Sequence, residues 1–88
     1  MACIDSLLRH LDLIGATALT YLDADQNELF DLDISTNTAL AYLSLANNHL
    51  TGLATDKNVK LERLILFNNN LSAIDTENKP PELFCRCL

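Results

Sequence analysis

Apolar and polar positions along this chain repeat with a period of 21 residues. The chain gives TALTYLDADQNELFDLDISTN from Thr17, TALAYLSLANNHLTGLATDKN from Thr38 and VKLERLILFNNNLSAIDTENK from Val59, without an insertion or deletion. Aligned, the three copies share the pattern LxxLxLxxN, with an alanine at one leucine position of the first copy. A fixed period of this size is typical of a solenoid, in which each repeat forms one coil and buries its apolar face against its neighbours.

A short alternating segment in each copy predicts one strand per coil. In YLDAD, YLSLA and RLILF the inward side chains recur at every second position, which places them on one face of a strand. These inward positions are Leu22 and Ala24, Leu43 and Leu45, and Leu64 and Leu66. Strands of successive coils then form a parallel sheet, with equivalent side chains stacked about 4.8 Å apart.

The asparagine that closes the pattern recurs at Asn27, Asn48 and Asn69. A side-chain amide both donates and accepts hydrogen bonds, so it can pair with turn backbone groups of its own coil and of the next one. We therefore predict a structural role for these three residues rather than a binding role.

The repeats resemble the leucine-rich repeats, and most closely the bacterial 21-residue variety, LxxLxLxxNxLxxLDLxxNxA. DLDISTNTAL from Asp31 and HLDLIGATAL from His10 are similar to its second half, whereas Thr55 and Thr76 depart from it at an apolar position. The resemblance implies a leucine-rich-repeat superhelix, an α/β-type solenoid. Its short parallel sheet would lie on the concave side, with irregular or short extended segments on the convex side.

The period organises all 88 residues into a single domain. We predict a partial coil over 1–16, full repeats over 17–37, 38–58 and 59–79, and a partial terminal coil over 80–88. Neither end has the polar cap that terminal repeats of solenoids normally carry. We therefore interpret the chain as a piece of a longer array, whose uncapped strand edges favour self-association.

Charge and hydropathy narrow the classes of partner. The net charge is −6, and the six Lys and Arg residues are scattered, whereas phosphate binding needs them clustered, so we expect no nucleic-acid partner. The leucines are interrupted too often for a membrane span, and the first residues lack the basic segment of a signal peptide. The compartment stays open: the resemblance implies a cell-surface or secreted parent protein, and the cytoplasm is the alternative.

The sequence contains no motif typical of a catalytic, cofactor-binding or metal-binding site. Residues 23–27 begin like a calcium loop, but Glu28 stands where such a loop needs glycine and Ile34 where it needs glutamate. His10 and His49 occupy unmatched positions, and there is no nucleophile elbow or glycine-rich phosphate loop. We predict no enzymatic activity, no catalytic residue, no cofactor and no metal.

Three cysteines do not predict a disulfide framework. Cys3 and Cys87 align with Ala24, where the resemblance implies a small buried thiol, and Cys85 aligns with Leu22. Half of a metal site at Cys85 and Cys87 lacks a second ligand pair nearby. Among the alternatives to buried thiols, a reactive or intermolecularly bridged cysteine at the terminus is favoured over the metal site.

The positions between the inward leucines face solvent and carry the functional prediction. Aromatic residues and arginine are enriched at the hot spots of protein interfaces. We therefore predict a non-enzymatic module that binds a protein partner through five residues of this face: Tyr21, Tyr42, Arg63, Ile65 and Phe67. Ile65 and Phe67 are expected to be exposed and to make the third coil unusually apolar.

Alternatives to this prediction remain. The aromatic residues can simply cover the sheet, with Arg63 lying over Tyr42 as a cation and ring pair. The chain can also be a structural spacer of a larger bacterial surface or secreted protein, or the repeat region of an effector enzyme whose catalytic domain lies elsewhere. Variation at Asp23, Ser44 and Ile65 favours a binding module over a monotonous spacer.

Overall fold

A computed structural model describes residues 1–74, 79–80 and 83–87. It contains four strands of three residues each: β1 (Tyr21–Asp23), β2 (Tyr42–Ser44), β3 (Arg63–Ile65) and β4 (Phe84–Arg86). All pair in parallel in the order β1-β2-β3-β4, and the described residues contain no helix.

The register of the sheet follows the 21-residue period. Tyr21 lies opposite Tyr42, Tyr42 opposite Arg63, and Arg63 opposite Phe84. At the other end Ala2 forms a bridge with Asp23, one period earlier. The sequence period is therefore the structural repeat, and it extends through β4.

The inward column of the strands forms the core. Leu22, Leu43 and Leu64 at the strand centres are completely buried, as are the inward residues that follow them, Ala24, Leu45 and Leu66. Buried leucines and an isoleucine from the other parts of each coil complete the core: Leu29, Leu32, Ile34, Leu40, Leu50 and Leu61. The central residues of β1, β2 and β3 are thus the apolar, inward ones. The residues that flank them are exposed or half-buried, except Ser44 of β2, which is 2% exposed and does not face solvent as predicted.

The asparagines at positions 27, 48 and 69 form the first asparagine column, which bonds the turns of neighbouring coils together, as predicted. The bonds run to the preceding coil, however, and not to the next one. The Nδ2 of Asn27 donates to Ala24 O in its own coil and to Cys3 O in the preceding coil, both at 2.9 Å. Its Oδ1 accepts from the backbone N–H groups of Ser6 and Leu8, also in the preceding coil. The same arrangement recurs at Asn48 and Asn69. The prediction of bonds to the next coil was wrong because a period alone does not distinguish the two neighbours of a coil.

A second asparagine column is also structural, and sequence reasoning missed it. Asn37 and Asn58 are completely buried. The Nδ2 of Asn58 donates to Ile34 O at 3.0 Å and to Asn37 O at 2.9 Å, whereas Asn37 donates to Leu13 O and Ala16 O in the coil before. The period of 21 between Asn37 and Asn58 was a visible signal, but Ala16 and Lys79 at the flanking positions interrupt it.

The residue before each asparagine of the first column has a left-handed backbone conformation. Gln26, Asn47 and Asn68 have φ values of 59°, 59° and 56°. Asparagine tolerates this region because its short polar side chain bonds locally, whereas other residues with a side chain pay about 1–2 kcal/mol there. Asn68 also donates to the Oδ1 of Asn47 at 2.9 Å, so the column forms a short side-chain ladder.

We expect Gln26→Asn to stabilise the protein by up to about 1 kcal/mol, because it removes this conformational cost and can extend the ladder. Urea denaturation of the variant and of a matched Gln26→Ala control measures the effect. Gln26→Ala keeps the strained backbone and should bring no gain. Equal stability of the two variants would show that the left-handed turn does not limit stability.

Candidate functional site

The solvent side of the sheet carries the predicted binding residues. We call this surface the strand face and define it by the outward residues of the four strands and the turns that follow: Tyr21, Asp23, Asp25, Tyr42, Ser44, Arg63, Ile65, Phe67, Phe84 and Arg86. All five residues predicted from the sequence lie on it. Since they come from three coils, the parallel register alone brings them together.

Two tyrosines form one end of the strand face. The rings of Tyr21 and Tyr42 stack with centroids 4.5 Å apart and an angle of 13° between their planes. Tyr21 is 43% exposed, and Tyr42 is half-buried. Partial desolvation and the negative charge of Asp23 raise the pKa of Tyr21, so its hydroxyl stays protonated at neutral pH and can donate a hydrogen bond.

Arginines cover phenylalanines at the other end. The guanidinium carbon of Arg63 lies 4.6 Å from the ring centroid of Phe84, and that of Arg86 lies 4.6 Å from the ring centroid of Phe67. The expectation that Arg63 covers Tyr42 was therefore wrong. Tyr42 is already stacked on Tyr21, whereas the ring of Phe84 lies directly opposite Arg63 in the register.

The apolar part of the strand face is smaller than predicted. Ile65 and Phe67 are half-buried rather than exposed. Arg86 covers the ring of Phe67, and it also lies opposite Ile65 in the register. Phe84, which was not among the five predicted residues, is the more exposed ring at 44%.

Two carboxylates lie beside the tyrosines. Asp25 accepts hydrogen bonds from the hydroxyl of Ser44 at 2.6 Å and from the backbone N–H of Ala46 at 2.8 Å, which fixes its position. Asp23 accepts from the backbone N–H of Asp25 at 3.2 Å. Burial and the neighbouring negative charge of Asp25 raise the pKa of Asp23, against the opposing effect of that hydrogen bond.

The arginines at the opposite end are not neutralised by the rest of the described chain. Among residues 1–74, 79–80 and 83–87, neither Arg63 nor Arg86 forms an ion pair; the pair that does form, Arg9 with Glu28, lies away from the sheet. The strand face thus has an acidic end near β1 and a basic end near β3 and β4.

Comparison with protein families identifies the repeats. The Leucine Rich Repeat family model matches residues 60–87, which include β3 and β4. This chain is a leucine-rich repeat protein. Comparisons with curated proteins and with solved structures gave no match. Leucine-rich repeats generally mediate protein–protein interactions and are typically non-enzymatic.

The cysteines of this leucine-rich repeat protein depart from the prediction. Cys85 and Cys87 are joined by a disulfide, and Cys3 is a free, half-buried thiol. The two-residue spacing places both side chains on the same side of β4, where they meet. Cys85 is exposed although it aligns with Leu22, because β4 is an edge strand of the sheet, whereas Cys87 is buried as predicted.

A cleft of the leucine-rich repeat coils lies along their second halves. It has a volume of about 590 Å³ and is lined by His10, Leu11, Asp12, Leu13, Ile14, Asp31, Leu32, Asp33, Ile34, Ser35 and Ala54. Hydrogen bonds from the hydroxyl and the backbone N–H of Ser35 lower the pKa of Asp33, so this carboxylate is ionised and satisfied locally. Asp75, which aligns with Asp12 and Asp33 in the 21-residue period, lies outside the described residues.

The described part of the leucine-rich repeats lacks two further kinds of feature, a cluster of metal ligands and a membrane-spanning helix. No group of three His, Cys, Asp or Glu side chains there is arranged to hold a metal ion. Nor does that part contain a helix with the length and apolar character needed to cross a membrane.

Proposed function

We propose that this leucine-rich repeat protein binds a protein partner through the strand face, with Tyr21, Tyr42, Arg63, Ile65 and Phe67 as the central contacts. The observation that carries the proposal is the ordered set of aromatic rings and guanidinium groups in one register. Aromatic and arginine side chains dominate the energy of protein interfaces when they can be desolvated.

The stacking contacts favour binding because they order the side chains before the partner arrives. The ring of Tyr42 is held by Tyr21, and the ring of Phe67 is held under Arg86. Immobilising a free side chain at an interface costs about 0.5–1.5 kcal/mol. Side chains that are already packed against one another lose less of this entropy on binding.

Variation between the coils favours binding over a spacer role. In the register column that starts at Asp23, the next three strands present Ser44, Ile65 and Arg86. A spacer needs only the repeated inward residues and gains nothing from a face that changes from acidic to apolar to basic. A recognition surface needs such differences, because specificity depends on them.

We expect Arg63→Ala or Phe67→Ala to weaken binding of a purified protein partner by about 1–3 kcal/mol, which is roughly 5- to 150-fold in Kd. The partner is first isolated by affinity capture and then titrated in purified form by calorimetry. Circular dichroism of each variant verifies that the sheet still forms.

The matched control is Asp33→Ala, a change in the cleft on the second halves of the coils. Its Kd should stay within twofold of that of the unmodified protein. The proposal fails if charge reversal at Asp33 abolishes binding while Arg63→Ala and Phe67→Ala leave it intact. That outcome would move recognition to the cleft.

A further inference from the structure

One register column of the strand face runs from acid to base across the whole sheet. It consists of Asp23, Ser44, Ile65 and Arg86, one residue from each strand. Asp25 lies beside the acidic end, and Arg63 lies beside the basic end. Opposite charges thus occupy the two ends of a straight line of four positions.

The length of this column matches a short extended peptide. Neighbouring strands lie about 4.8 Å apart, so three steps from Asp23 to Arg86 cover about 14 Å. An extended chain advances about 3.3 Å per residue and points alternate side chains the same way. Residues i and i+4 of such a peptide therefore lie about 13 Å apart on one side, and residue i+2 points to the same side midway.

We infer that the strand face binds an extended protein segment with a Lys or Arg at one end, an Asp or Glu four residues away, and an apolar residue midway. The inference rests on the proposed function and specifies its ligand. The cationic side chain of the segment lies at Asp23 and Asp25, its carboxylate lies at Arg63 and Arg86, and the middle residue lies over Ile65.

The acidic end is suited to a cation. Asp25 is fixed by hydrogen bonds from Ser44 and Ala46, and Asp23 lies two residues away on the same face. Partial burial, and to a smaller extent the nearby carboxylate of Asp25, raise the pKa of Asp23, so its charge is less favourable than in water. A bound ammonium or guanidinium group offsets this repulsion, and the stacked ring of Tyr21 gives it an aromatic surface nearby.

The basic end is suited to a carboxylate. Arg63 and Arg86 rest their guanidinium groups on phenylalanine rings, and neither is ion-paired among the described residues. A guanidinium group that stacks on a ring keeps its N–H donors directed along its edges. These donors can bind a carboxylate with two parallel hydrogen bonds.

Synthetic peptides of nine residues test the inference directly. A fluorescein-labelled peptide with Lys, Leu and Glu at positions i, i+2 and i+4 is titrated with the 88-residue protein by fluorescence anisotropy. We expect binding at least tenfold tighter than that of a peptide with Lys and Glu at i and i+3, whose charged side chains point to opposite sides. Peptides with two Lys or two Glu residues at i and i+4 should also bind at least tenfold more weakly. A peptide with the charges reversed in order is not a control, since it can cross the sheet in the opposite direction.

Charge exchange on the protein provides the second arm. Asp23→Lys or Arg86→Glu alone should weaken binding of the Lys and Glu peptide at least tenfold, because each places two like charges at the ends of the column. The double variant is made together with Asp25→Asn and Arg63→Gln, so that neither end keeps its original charge. It restores opposite charges and should recover binding, with the peptide turned end to end. Asp33→Lys serves as the control for a change in net charge and should have less than a twofold effect.

The inference is overturned if the four peptides bind alike, or if the double variant binds no better than the single ones. It is also overturned if the unliganded protein forms a dimer in sedimentation equilibrium that Arg86→Glu dissociates, since the occupant is then a second copy with its acidic end on the basic end of the first. If a protein partner still requires Arg63 and Phe67 when the peptides bind alike, the proposed function survives and only the ligand assignment fails.

Discussion

Leu43→Ala is expected to destabilise the protein by about 2–5 kcal/mol, the range for truncating a buried leucine. Leu43 occupies the centre of β2 and is completely buried between the equivalent leucines of β1 and β3. Removing its side chain leaves a cavity in the column that holds three coils together. A small domain has a total stability of about 5–15 kcal/mol, so the loss should be evident in urea unfolding.

Tyr42→Ala is the matched control because Tyr42 is adjacent in the same strand and points to the strand face. Its half-buried ring contributes mainly the stack with Tyr21, for which about 0.5–1.5 kcal/mol is expected. Comparable losses for the two variants would contradict a one-sided strand, and with it the assignment of inward and outward columns.

Asn48→Asp is the second substitution with a large expected effect. The Nδ2 of Asn48 donates to Ala24 O and Leu45 O, and its Oδ1 accepts from Leu29 N. A carboxylate of the same shape keeps the accepted bond but places an anionic oxygen against two buried carbonyl oxygens. Each unsatisfied buried group costs about 1–3 kcal/mol, so we expect a loss of about 3 kcal/mol or more at neutral pH.

The loss of stability in Asn48→Asp should be larger at neutral pH than at acidic pH. Burial against two carbonyl oxygens raises the pKa of the introduced carboxyl above its unfolded value, so its ionisation disfavours the fold. The destabilisation relative to the native protein should therefore shrink as the pH falls through that raised pKa, because a protonated carboxyl donates one hydrogen bond. Unfolding is followed by circular dichroism between pH 4 and 7 at about one-unit steps, the range in which a raised carboxyl pKa is expected. Asn70→Asp, an exposed site with the same charge change, is the control and should show neither effect.

The sequence predicted the coils because their determinants are local and repeated. Each inward leucine is specified by the same neighbours 21 residues away, so Leu22, Leu43 and Leu64 could be placed without coordinates. Parallel pairing followed from one strand per coil. The strand face followed in turn, since residues that alternate with inward leucines point to the other side of the strand. Exposure did not follow, because Ser44 and Ala46 on that side are buried.

The sequence could not predict which neighbouring coil an asparagine bonds, or which aromatic ring an arginine covers. A period does not show whether Asn27 bonds the preceding or the following coil. Nor does it show that Arg63 prefers the ring of Phe84, since this depends on Tyr42 already being stacked on Tyr21. The buried state of Asn37 was missed for a related reason: its column has only two asparagines, and two occurrences in an aligned pattern are a weak signal.

The charge polarity of the strand face was visible in the sequence only in part. Asp23, Ser44, Ile65 and Arg86 were aligned by the period, but Arg86 belongs to the terminal coil, where the apolar pattern weakens after two prolines. The pairing of β3 with β4 places Arg86 in register and completes the column. Because of β4, the strand face carries negative charge at one end and positive charge at the other.

Chemical-shift mapping is the most direct test of whether the outward residues of the repeated strands form the recognition surface. The ¹⁵N-labelled protein is titrated with the peptide that carries Lys, Leu and Glu at i, i+2 and i+4, or with a purified protein partner. We expect the largest amide shifts on β1 to β4 and the turns that follow, including Asp23, Ile65 and Phe67. Shifts concentrated in the cleft at residues 10–14 and 31–35, with the strands unperturbed, would contradict this expectation.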